Sequence, residues 1–94
     1  MFAIKDEDLE PLIARELASS KVQHEERFKD TDEAKEILRS ELKEAKYEIY
    51  STFCYSDNIV DSYYMDEMIK HSMLLVKEAI QVAAMCRKWK ESGI

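Results

Sequence analysis

Three glutamates, Glu41, Glu44 and Glu48, stand at three- and four-residue spacing in a stretch whose apolar residues Ala34, Ile37, Leu38, Leu42, Ala45 and Ile49 recur with helical period. At about 100° per residue the three carboxylates lie within roughly 60° of one another on one flank of the apolar face. Arg39, Lys43 and Lys46 take the far side. Glu41 falls inside the apolar arc, where a carboxylate costs several kcal/mol to desolvate unless it is paired, protonated or bound to a cation. Further along, Glu67, His71 and Glu78 share one azimuth of a second helical stretch, with Gln81 just beyond Glu78. If the two stripes face each other across an antiparallel helix pair, Glu41, Glu44 and Glu48 meet Glu78 around a hard cation. Magnesium fits best, because it takes all-oxygen ligands, keeps some waters and is completed by substrate phosphates. His71 suits magnesium poorly and reads as a surface or hydrogen-bonded residue. The competing reading of the same spacing is a solvated, glutamate-rich helix face.

Three helical segments must position these residues. The first is expected from about Asp6 to Arg27, with acidic residues in its opening turn, Pro11 early enough to be tolerated, and Leu9, Leu12, Ile13, Leu17 and Val22 as its apolar stripe. Phe28 to Glu33 reads as a link and restart, since Asp30 or Thr31 can cap the next helix and Glu33 follows Asp30 by three. The second helix is expected from about Asp32 to Ser51, and the third from about Asp61 to Glu91. Between them, Ser51 to Val60 carries Ser56, Asp57 and Asn58 as a break and new cap, around which Tyr50, Phe53, Tyr55, Tyr63 and Tyr64 cluster. Such an aromatic cluster beside a helix–helix turn reads first as packing.

From Met73 to Cys86, 11 of 14 residues are apolar, so the third helix is apolar on nearly every side. Two other helices of one short chain can hardly bury it. A dimer or higher oligomer built on that helix is therefore expected. The chain of 94 residues is expected to form a single all-α domain, residues 1–94, completed as a bundle by oligomerisation.

Composition excludes several function classes. One Gly and one Pro leave no room for glycine-rich phosphate loops or hairpins. A net charge of −6 disfavours sequence-independent binding to nucleic acid, although nucleotides held through a metal are compatible with it. Cys54 and Cys86 match no metal or redox spacing and read as reduced apolar residues. No signal-peptide core and no run of about 18 apolar residues is present, so the expectation is a cytoplasmic protein without a membrane partner.

The runs Ile37-Leu38-Arg39-Ser40-Glu41-Leu42-Lys43-Glu44-Ala45 and Glu78-Ala79-Ile80-Gln81-Val82-Ala83-Ala84-Met85 resemble the small phage-type branch of the MazG-like, all-α nucleoside triphosphate pyrophosphohydrolases. In that superfamily a Glu-Glu-x-x-Glu motif on one helix and a Glu-x-x-Asp motif on a later one bind magnesium. The segment Phe28 to Glu33 also looks like the linker and helix start of that branch, and the likeness spans Leu17 to Trp89. The resemblance implies a bundle built from helices of two subunits. It also implies hydrolysis of a nucleoside triphosphate to monophosphate and pyrophosphate, with magnesium on Glu41, Glu44 and Glu78 and with Glu48 as further ligand or general base. Lys70, Lys77, Arg87 and Lys88 are candidate phosphate contacts, each also readable as a solvated side chain.

The pattern has departures. Ser40 stands where the first Glu of the first motif would be, and Gln81 replaces the Asp of the second. The stretch between Glu44 and Glu78 is longer than usual in the superfamily. Losing two anionic ligands weakens the hold on a hard cation, which Glu48 could partly restore. The alternative expectation is a non-catalytic helical oligomerisation or partner-binding protein of phage or mobile-element origin.

Overall fold

The computed structural model describes residues 2–57 and 61–94. These form three helices: α1 (Asp6–Gln23), α2 (Thr31–Ser56) and α3 (Ser62–Ser92). No strand occurs among the described residues. None of the helices is long and apolar enough to cross a membrane.

Local chemistry explains most of the boundaries. Asp6, Glu7 and Asp8 place negative charge on the first turn of α1, and the Asp8 carboxylate accepts from the Lys5 N–H at 2.8 Å. Asp30 caps α2, its Oδ1 accepting from the Glu33 N–H at 2.8 Å, while Glu33 reaches back to accept from the Lys29 N–H at 3.2 Å. Asp61 caps α3 in the same manner through the Tyr63 N–H. The chain's one glycine, Gly93, ends α3 at φ 72°, the left-handed conformation that glycine adopts without steric cost.

Two boundaries differ from the sequence expectation. The first helix stops at Gln23 instead of Arg27, and His24 is extended. The chain leaves the helix so that Phe28, 4% exposed, can pack at the end of α3, where its N–H donates to Ser92 Oγ at 2.9 Å. Burying an aromatic ring and satisfying a buried amide outweigh one more turn of exposed helix. The second helix runs past Ser51 to Ser56, because residues 51–56 contain no Gly or Pro to break it. The expected break therefore begins at Asp57, and its remainder, residues 58–60, lies outside the described residues.

The long central α3 packs against both α2 and α1, and most extensively against α2. The backbones of the flanking pair, α1 and α2, stay apart, which leaves a cleft between them with α3 as its floor. Antiparallel α2 and α3 keep a simple register in which Glu41 meets Glu78, Glu48 meets His71, and Tyr55 meets Tyr64. Each step is seven residues, or two helical turns. Across α3, α1 is pinned by Arg87 on Glu10 at 2.6 Å and Lys21 on Glu91 at 2.7 Å. Both pairs are at the surface, where solvent screening leaves them little weight in stability.

The core is small and sits at one end. Leu17, Phe28, Ala34, Ala84 and Met85 are buried, with Ile13, Ile37, Leu38 and Trp89 packed around them. At 18 residues, α1 spans about 27 Å of an α3 that is 31 residues and about 46 Å long, so it shields only part of it. Elsewhere the apolar face of the pair remains open. Leu42 and Ile49 of α2 are exposed, as are Met65, Ile69, Met73 and Val76 of α3, and Val22 of the expected α1 stripe also faces solvent. Cys54 and Cys86 are both exposed and not joined to each other.

Candidate metal centre

Glu41 and Glu44 lie one turn apart on α2, and Glu78 lies opposite them on α3. One carboxylate oxygen from each lies within 4.8 Å of the others. Glu41 and Glu78 are half-buried and Glu44 is exposed, so the cluster opens to solvent on the Glu44 side.

The electrostatics of this trio are strained. Glu78 Oε2 is buried and receives no hydrogen bond. Burial, first, and then the negative charges of Glu44 and Glu41 and their competition for the same proton push the Glu78 carboxyl up to about 7. Glu41 is also raised from its ordinary value, by burial and then by Glu44, while its hydrogen bond with Glu78 works the other way. A proton on Glu78 relieves the repulsion that its two neighbouring carboxylates would otherwise exert on it. A divalent cation with oxygen preference can do for this cluster what the proton does, with two positive charges in place of one.

Glu48, the fourth glutamate, does not join the three. It faces His71, which bonds Glu48 Oε2 through Nδ1 at 2.6 Å, while the His71 Nε2 lies 3.8 Å from Glu67 Oε2. Tyr55 stacks on the imidazole with ring centroids 5.6 Å apart. His71 is thus the hydrogen-bonded residue of the sequence reading, built into the α2–α3 seam. Glu48 still reaches the edge of the cluster. It lines, with Lys43, Glu44, Tyr47 and Glu78, an open depression of about 310 Å³.

The two motif departures fall beside the trio and contribute no charge. Ser40 and Gln81 both line the neighbouring cleft between α1 and α2, as does Glu41. Of the four candidate phosphate contacts, Arg87 is engaged by Glu10 and Lys70 lies 4.0 Å from Glu67. Lys77 lines a groove with Leu12 and Met73. Lys88, expected among solvated cations, is buried instead. Nothing in its local sequence marks it, because its burial depends on Phe28 folding back from a distant link.

Among the described residues, fold and site together define a three-helix, all-α architecture with a carboxylate cluster across an antiparallel helix pair. No family model matches the chain at a significant level, nor does any curated protein or solved structure.

Proposed function

We propose that this chain is a magnesium-dependent nucleoside triphosphate pyrophosphohydrolase of MazG-like type, releasing monophosphate and pyrophosphate. The observation that carries the reading is the convergence of Glu41, Glu44 and Glu78 from two helices, with one buried oxygen lacking any donor. That donor set fits magnesium, since it is all oxygen, anionic and open on one side for waters and phosphates.

Bound there, magnesium supplies charge neutralisation of the phosphates and polarisation of a water. The protein's own groups do the rest. Glu41 and Glu78, held by the α2–α3 packing, anchor the inner side, and the exposed Glu44 faces the incoming phosphates. Glu48 keeps Oε2 on His71 and has Oε1 left to accept the proton of the attacking water. The hydrogen bond from His71 fixes the carboxylate's orientation, as an outer partner does for a catalytic base.

Thermal melting and product analysis test this. Five millimolar or so of magnesium with a non-hydrolysable nucleotide should raise the melting temperature by several degrees, and Glu41→Gln should abolish the rise. Chromatography should find pyrophosphate as the product. Release of orthophosphate, or no thermal response at millimolar magnesium, would sink the reading.

A second reading has its own observation. Met65, Ile69, Met73 and Val76 form an exposed stripe along the half of α3 that α1 leaves open, and large apolar patches of this kind mark association surfaces. With Ser40 and Gln81 in place of carboxylates, this supports a non-catalytic oligomerisation module. A self-associating chain also suits the enzyme reading. Ile69→Glu should convert any oligomer to monomer in sedimentation without lowering helix content, and an unchanged mass would place association elsewhere.

A further inference from the structure

The cleft between α1 and α2 has a volume of about 690 Å³, within the range of small-ligand sites. Its lining includes Ser20 of α1, Phe28 of the link, Ser40 and Glu41 of α2, and Gln81 and Lys88 of α3. Lys88 is only 3% exposed. Its ammonium donates to Ser20 Oγ at 3.3 Å and lies 4.8 Å from the centre of the Phe28 ring. Among the described residues it forms no ion pair. An ammonium carries three donors, and a long bond to one hydroxyl and a ring face leave it undersupplied with acceptors. Burying a cation in that state is unfavourable, and apolar residues of the same size would do better for stability alone. The cation is therefore kept for something that enters the cleft.

We propose that the cleft receives the base of a nucleotide and that Lys88 selects bases with a keto oxygen over those with an amino group at the same position. The inference rests on the pyrophosphohydrolase reading and extends it to substrate choice. Two features direct it. Glu41 belongs both to the carboxylate trio and to the cleft wall, so a ligand in the cleft continues directly into the metal site. Lys88 follows Glu78 by ten residues, about 15 Å along α3, which separates a phosphate end from a base end. A phosphate at Lys88 itself is disfavoured, because Glu16, Glu25 and Glu33 also line the cleft and would repel it. A neutral carbonyl oxygen accepts from the ammonium without that penalty. An amino group brings only donors to a donor.

The test is calorimetric binding, in the presence of magnesium, of the non-hydrolysable α,β-imido analogues of UTP and CTP. These exchange a keto for an amino group at one ring carbon and turn the adjacent ring nitrogen from a donor into an acceptor. The native chain should bind the UTP analogue at least about tenfold more tightly. Lys88→Met should lose that preference, leave magnesium affinity unchanged, and melt at or above the native temperature without ligand. Lys88→Gln, which can donate or accept, should bind the two analogues alike. Equal binding by the native chain, or a preference that survives Lys88→Met, overturns the proposal. So does a lowered melting temperature in Lys88→Met, which would make Lys88 a structural residue. Binding of magnesium and inorganic triphosphate without discrimination overturns the Lys88 assignment alone. No response to magnesium at all overturns the carboxylate site and this inference with it.

Discussion

Glu78→Gln should melt several degrees above the native chain at pH 8 in chelator and lose the response to magnesium. At pH 4 the two should melt alike. The direction follows from the Glu78 carboxyl being raised from 4.5 to about 7 in the folded protein, by burial first and then by Glu44 and Glu41. Its folded state holds a proton that the unfolded chain releases, so the stability it contributes is complete below about pH 4.5. That contribution is lost as pH rises through about 7. Glutamine carries no charge at any of these values and does not lose it. The cluster is partly open to water, so the gain is about 1 to 2 kcal/mol, or roughly 5 to 10 °C for a chain of this length. Magnesium should relieve the same repulsion in the native chain, because the cation takes the place of the proton on Glu78. Equal melting of the two proteins at pH 8 would mean that the three carboxylates do not repel one another in solution.

Phe28→Ala should cost about 3 to 4 kcal/mol, a large share of the stability available to a chain with so small a core. The Phe28 ring is 4% exposed and is one of only five buried apolar side chains among the described residues. It joins the α1–α2 link to the end of α3 and lies beneath the Lys88 ammonium. Removing it leaves a cavity and strips a buried cation of one of its few contacts. Urea unfolding followed through the fluorescence of Trp89, which packs against the same core, should show the midpoint falling by about 2 M. A loss under about 1 kcal/mol would show that the link docks without the ring. The neighbouring Ser92 Oγ contact should survive the substitution, since it is made by the Phe28 backbone N–H.

What could be read from the chain alone follows from short-range rules. Helical period, the cap at Asp30 and the near-absence of glycine define three helices, because capping and amphipathicity act within a few residues, whereas the cap of α3 is Asp61 and the expected candidates Ser56 and Asp57 instead end α2. The anomalous position of Glu41 on its apolar face follows from the same period. Ser51 misled as a helix end because polar residues permit a break without enforcing one.

The pairing of side chains across helices needed the tertiary structure. Glu41, Glu44 and Glu78 come together because α2 and α3 run antiparallel in one seven-residue register, and that register assigns Glu48 to His71 instead of to the trio. A one-turn slide would have met the helical pattern equally well. The burial of Lys88 was still less visible, since it depends on Phe28 returning from a link sixty residues away to cover a side chain that its own helix leaves ordinary. The sequence determines which faces are apolar and where helices begin. Only long-range packing decides which charges are taken out of water, and those charges carry the chemistry proposed for this protein.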